Sequence, residues 1–81
     1  MILHVTEIKY LREYTLYVRF NDGAAGEVDL TAELEGEVFG SLKDIALFKT
    51  AKVDPLMQTV VWSNGADLAP EFLYDQLRIP I

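Results

Sequence analysis

The stretch that decides the fold is Tyr14-Thr15-Leu16-Tyr17-Val18-Arg19-Phe20-Asn21-Asp22-Gly23-Ala24-Ala25-Gly26-Glu27-Val28-Asp29-Leu30. Its first half sets Tyr14, Leu16, Val18 and Phe20 on one parity against Thr15, Tyr17 and Arg19 on the other. A period of two is what a half-buried strand requires, because successive side chains point to opposite faces of a sheet. Asn21-Asp22-Gly23 then supplies residues that tolerate positive φ, and Gly26, Val28 and Leu30 alternate against Glu27 and Asp29. The stretch reads as a β-hairpin with an apolar face and acids on its wet face.

Outward to the amino terminus, residues 3 to 11 read as another strand whose apolar parity shifts from Leu3 and Val5 to Ile8 and Tyr10. One inserted residue moves every later side chain to the other face, so a bulge is expected around Thr6 and Glu7, with a turn near Arg12-Glu13. Outward to the carboxy terminus, Thr31-Ala32-Glu33-Leu34 fits one helical turn, and Gly36 and Gly40 bracket Val38 and Phe39. Ser41-Leu42-Lys43-Asp44 offers an N-cap serine with a carboxylate three residues on. This predicts a short helix with Leu42, Ile45, Ala46 and Phe48 on its apolar face, ending near Lys49-Thr50. Val53 lies in a brief extended piece that Asp54-Pro55 ends, since a residue before proline is pushed out of the helical region.

Thr59-Val60-Val61-Trp62 reads as a strand, Ser63-Asn64-Gly65 as a second tight turn, and Ala66-Asp67-Leu68 as its return strand. Pro70 suits the first position of a last helix, with Glu71 in its first turn, Phe72, Leu73 and Leu77 on its apolar face and Arg78 placed to complement the dipole at its end. The expected fold is α+β: a small antiparallel β-sheet built from hairpins, with two short helices packed on one face, in a single domain over residues 1–81. A near-repeat, Phe20-Asn21-Asp22-Gly23-Ala24 and Trp62-Ser63-Asn64-Gly65-Ala66, places an aromatic three residues before each turn glycine. Hairpin grammar alone makes such turns recur, so duplication of the chain is not needed to explain it.

Composition narrows function. With 51% hydrophobic and 25% charged residues the chain falls in the ordinary globular class. It contains no cysteine, which removes disulfides, thiolate nucleophiles and Cys-based metal sites. The start Met1-Ile2-Leu3-His4 is too briefly apolar for a leader or an anchor, and no run is long enough to span a bilayer, so the cytoplasm is the expected compartment. A formal charge of −6, with its seven Lys and Arg scattered, opposes direct binding to nucleic acid, which needs a basic footprint.

Candidate chemistry is sparse. His4 is the only histidine and has no Cys or second His to complete a metal or nucleophile set. Ser41 and Ser63 are better placed as cap and turn residues than as nucleophiles. Glu27, Asp29, Glu33, Glu35 and Glu37 fall close together without an intervening Lys or Arg, the most polarised stretch of the chain. Such a run is either a solvated face or a surface that steers a basic protein by field complementarity. No catalytic residue, cofactor or metal is expected. Trp62, Asn64, Gly65, Asp67, Pro70, Glu71 and Tyr74 carry positional jobs, and Asp67 is expected to accept hydrogen bonds within the turn.

At Trp62, Asn64, Gly65, Asp67, Leu68, Pro70, Glu71, Leu73 and Tyr74 the sequence resembles a small bacterial family known as domain of unknown function 2442. Tyr17, Val18, Phe20, Asp22, Gly23, Gly26, Val28, Asp29 and Leu30, with Gly36, Phe39, Leu42 and Phe48, extend the resemblance over essentially the whole chain. The resemblance implies a compact α+β domain that commonly stands alone and is often encoded beside a second small family, number 4160, in a pairing suggestive of a toxin–antitoxin module. Some members carry a carboxy-terminal helix-turn-helix, which is not expected in this chain ending at Ile81. The resemblance supplies no catalytic residues.

The expected function is therefore a non-enzymatic protein-interaction module, an acidic antitoxin-like partner of a small basic protein, with homo-oligomerisation as an allied route for covering sheet edges. Two alternatives belong to other classes. One is a small-ligand or metal-assisted enzyme drawing on Asp22, Asp29, Asp67 and Glu71, and the other is a remnant of a DNA-binding regulator.

Overall fold

The computed structural model describes residues 2–77. Three strands, β1 (Val5–Arg12), β2 (Thr15–Phe20) and β3 (Ala25–Asp29), form an antiparallel sheet in the order β1-β2-β3. A single 3-10 turn (Thr31–Glu33) leads to α1 (Gly36–Gly40), a second (Ser41–Lys43) to α2 (Ile45–Phe48). Two short strands, β4 (Lys52–Val53) and β5 (Val60–Val61), pair antiparallel as a separate ladder, and α3 (Pro70–Asp75) follows. The α+β class built on antiparallel hairpins is as the patterning predicts. Its helical residues divide into three short α-helices, and the second hairpin stands apart from the main sheet.

The parity of β2 decides where the core lies. Leu16, Val18 and Phe20 are essentially fully buried, while Arg19 between them is exposed. Val28 and Leu30 add the same face from β3 and its end, and Leu42, Phe48, Val60, Trp62 and Leu73 close over it from the later elements. Phe48 is the hub of the aromatic packing: Tyr14 meets it edge-on at 5.4 Å, Tyr10 at 6.1 Å, and Trp62 lies tilted at 5.9 Å. Trp62 Nε1–H donates to the Phe48 carbonyl at 3.0 Å, so the buried indole leaves no polar atom unpaired.

The expected bulge in β1 is at Thr6, where pairing passes from Val5↔Phe20 to Glu7↔Arg19, and a second shift skips Leu11 between Tyr10 and Arg12. The first shift swings the strand from Val5 in the core to Ile8 and Tyr10 packed against it. The turn to β2 places Glu13 at a φ of 44°.

Two local expectations change. The helix cap is Asp44, whose Oδ1 accepts from Ala46 N–H at 3.0 Å, whereas Ser41 opens a 3-10 turn and its hydroxyl donates to the Glu37 carbonyl. The reason is that Leu42 must be fully buried: the chain turns tightly to put it in the core, then breaks at Asp44 before α2 can start. The return strand at residues 66–68 is reduced to one bridge, Val61↔Asp67, because the Leu68 carbonyl is taken by the Thr59 hydroxyl at 2.6 Å. Pro70 and Glu71 stand in the first turn of α3, with Leu73 buried and Phe72 and Leu77 packed beside it. The pairing of Arg78 with the helix end lies outside the described residues.

Candidate interaction surface

The strand register sorts the charged side chains of the sheet. With Lys9 opposite Tyr17 and Tyr17 opposite Glu27, and with Glu7 opposite Arg19, these residues share the solvent face. Their charges balance locally. Arg12 Nη2 sits 2.5 Å from Glu27 Oε1, and Glu7 takes both Lys9 at 3.4 Å and Arg19 at 3.5 Å. The hydrogen bond to Glu27, reinforced by its charge, pushes the Arg12 guanidinium above its ordinary value. Both partners remain well exposed, so the pair fixes the edge of the hairpin more than it stabilises the fold.

The structure therefore splits the acidic run. Glu27 is paired across to β1, and Asp29 Oδ1 accepts from both the backbone N–H and the hydroxyl of Thr31, at 2.9 and 2.7 Å, turning the chain out of β3. Glu33 is half-buried and Glu35 and Glu37 are exposed. Their carboxylates have no ion pair or side-chain hydrogen bond among the described residues. No Lys or Arg occurs between Arg19 and Lys43, and Glu33, Glu35 and Glu37 carry half of the net charge of −6. These three carboxylates form a cluster of one sign without a cation close in the sequence.

At the other end, Trp62, Asn64 and Tyr74 of the motif make hydrogen bonds that tie elements together. Asn64, rather than Asp67, supplies the turn acceptor: its Oδ1 takes the Ala66 N–H at 3.0 Å while Nδ2 donates to the Val38 carbonyl at 3.1 Å. Asp67 is exposed and its carboxylate has no partner among the described residues. It lies three residues beyond the position the role requires, since an Asx side chain reaches the N–H two residues on and that donor is Ala66. Gly65 holds a φ of 91°. Tyr74 stands edge-on to Phe20 at 5.0 Å and donates its hydroxyl to Asp22 Oδ2 at 2.8 Å, tying α3 to the first hairpin turn. The Asp22 carboxyl is held below its ordinary value by the Ala24 N–H and then by Tyr74, and the Tyr74 hydroxyl is pushed up by the same contact.

Among the described residues no three His, Asp or Glu side chains approach closely enough to hold a metal ion, and no concave pocket is present. Asp22, Asp29, Asp67 and Glu71 thus do not form a three-ligand set. His4 is engaged through its backbone: its N–H donates to Asn21 Oδ1 and its carbonyl accepts from Asn21 N–H. One exposed feature escaped the sequence reading. The loop between β4 and β5 presents Leu56 and Met57 to solvent, its shape held by Asp54 Oδ2 accepting from both their N–H groups. The one sign of it in the sequence is an Asp-Pro turn followed by apolar residues that continue neither strand. No helix among the described residues is long and apolar enough to cross a membrane.

A family model described as "Protein of unknown function (DUF2442)" matches residues 5–78. The match takes in both hairpin turns, the acidic segment and α3, and the chain belongs to this family. No curated protein matches the chain, and no solved structure matches it.

Proposed function

We propose, with membership of a family of unknown function as the premise, that this chain is a non-enzymatic interaction module of the cytoplasm. Its partner is a small basic protein, bound in an antitoxin-like manner through the acidic segment that follows β3. The observation that carries this reading is that Glu33, Glu35 and Glu37 are uncompensated while Glu27 and Asp29 are engaged at home. A like-charged cluster costs the lone molecule self-repulsion and repays it when an oppositely charged surface arrives, which raises the association rate and selects the partner by sign.

The test is affinity capture of the tagged protein from its native lysate at low and then high salt, beside a variant carrying Glu33→Gln, Glu35→Gln and Glu37→Gln. A small basic protein retained at low salt, released by high salt and lost with the triple variant is the expected result, since screening acts on exposed charges. Retention of the same protein by the triple variant, or no specific protein at either salt, contradicts the reading.

A further inference from the structure

The two edges of the three-stranded sheet are treated differently. At β1 the register shifts twice, and the strand packs beside β4 and joins the second hairpin through Val5 N–H donating to the Gln58 carbonyl at 2.9 Å. β3 has neither device: its pairing with β2 runs without a shift from Arg19↔Ala25 to Thr15↔Asp29. The ladder's phase is set at both ends, where Phe20 N–H donates to the Ala24 carbonyl and Leu30 N–H to the Tyr14 carbonyl. In an antiparallel pair the hydrogen-bonded residues alternate, so Ala24, Gly26, Val28 and Leu30 turn their backbone groups toward β2 and the residues between them turn theirs outward. The backbone N–H and C=O of Ala25 and Glu27 therefore face away from the sheet, with no hydrogen-bond partner among the described residues.

We infer that the outer edge of β3 receives an extended cationic segment of the partner protein as a fourth strand, hydrogen-bonded to the backbone of Ala25 and Glu27. This rests on the interaction-module reading and adds to it the conformation of the partner and the strand it meets. A bare strand edge is a template for any extended chain, and charge decides which one is admitted. A second copy pairing antiparallel about Glu27 would set that carboxylate against its own mate, in a chain already at −6. A segment alternating Lys or Arg with β-formers meets the opposite situation, because β3 ends one residue before the turn that leads to Glu33, Glu35 and Glu37. Backbone pairing supplies the docking geometry and the acids supply its sign.

The test uses the full chain labelled with nitrogen-15 and a capped synthetic peptide, Thr-Lys-Val-Lys-Val-Lys-Thr, with amide exchange read residue by residue at low salt. A second peptide of the same sequence carries N-methyl groups on alternate amides, which keeps its charge and removes its strand hydrogen bonds. In the unliganded protein the Ala25 and Glu27 amides exchange rapidly while those of Gly26 and Val28 are protected. At saturating peptide the exchange of Ala25 and Glu27 slows by about tenfold or more, and the methylated peptide leaves them unchanged. Equal effects of the two peptides, slowing that maps to other residues, or no slowing at millimolar peptide each overturn the inference. Those results leave the acidic-surface reading intact if the Glu→Gln variant still loses its lysate partner. Loss of that reading alone shows instead as a peptide that protects Ala25 and Glu27 with no dependence on salt.

Discussion

In the first hairpin turn Phe20 N–H donates to the Ala24 carbonyl at 2.8 Å and Gly23 N–H returns to Phe20 at 3.1 Å; in the last, Trp62 N–H donates to Ala66 at 2.9 Å and Gly65 N–H returns to Trp62 at 3.0 Å. Gly23 and Gly65 stand at φ 92° and 91°. In both, the residue before the glycine accepts the N–H two positions on, Asp22 from Ala24 at 2.9 Å and Asn64 from Ala66 at 3.0 Å. In both, the second residue reaches back along the chain, Asn21 to His4 and Ser63 to Thr50. The difference lies in the remaining polar atom of the third residue. Asp22 Oδ2 accepts from Tyr74, in α3, and Asn64 Nδ2 donates to Val38, in α1. One local grammar thus fastens two remote elements, and the chemistry of a single atom decides which.

The largest expected effect falls on the aromatic that opens the second turn. Trp62→Ala removes a buried indole from the hub around Phe48 and is expected to cost about 3–5 kcal/mol of stability. Trp62→Phe, which takes the indole donor from the Phe48 carbonyl and leaves it the Ala51 N–H at 3.3 Å, costs about 0.5–1.5 kcal/mol. Urea unfolding midpoints read both. If Trp62→Phe is neutral, the indole N–H is not what makes this turn's aromatic differ from Phe20.

Next come the glycines. A Cβ added at Gly23 or Gly65 meets nothing within 4 Å, so each Gly→Ala change carries only the backbone penalty of the left-handed region. Both are expected to lose about 1–2 kcal/mol by the same measurement. A large inequality between them breaks the equivalence of the turns.

The third comparison exchanges the outward arms. Asn64→Asp loses the donor to Val38 and sets a carboxylate oxygen against a carbonyl, an expected cost of about 1 kcal/mol. Asp22→Asn keeps an acceptor for Ala24 N–H and presents an amide that can donate to the Tyr74 oxygen, so its stability at neutral pH stays within about 0.5 kcal/mol.

The smallest effect is in pH dependence. The lowered Asp22 carboxyl contributes stability above its ordinary value of 3.8 that is lost as pH falls below it. The raised Tyr74 hydroxyl contributes stability below its ordinary value of 10.0 that is lost as pH rises above it. In Asp22→Asn the share of acid sensitivity due to this carboxyl disappears and the alkaline limb moves back toward the ordinary tyrosine range. Unfolding midpoints followed across both limits check the signs, and an unchanged acid limb contradicts the role given to Asp22.

The same contrast explains what the sequence could reveal. The alternation in Tyr14–Phe20, the two Asn/Asp-Gly turns and the parity shift from Val5 to Ile8 are local signals with a fixed physical meaning, and they locate the hairpin turns, the core parity and the bulge at Thr6. The helix around Val38 was not readable, because a single turn bracketed by Gly36 and Gly40 and capped by no side chain has no local signature. The displaced cap at Asp44 and the lost return strand at Leu68 follow from long-range demands, the burial of Leu42 and the Thr59 hydroxyl. Tyr14, whose hydroxyl donates to the Lys43 carbonyl, reads in the sequence only as an apolar periodic position, and Tyr74 only as a motif residue without a partner to name. At the candidate surface, the sequence showed five clustered acids but not that Glu27 and Asp29 are satisfied within the hairpin, since Arg12 approaches Glu27 only through the register of three strands.

That division of the acids is the central claim, and titration calorimetry of the captured basic protein against wild type and against separate variants tests it most directly. Glu33→Gln, Glu35→Gln and Glu37→Gln together are expected to weaken binding at low salt by roughly 0.6–3 kcal/mol and to flatten its salt dependence. Asp29→Asn, with the carboxylate already engaged by Thr31, is expected to change binding by less than about 0.5 kcal/mol. Equal losses from the two sets, or a loss confined to Asp29→Asn, would contradict the account.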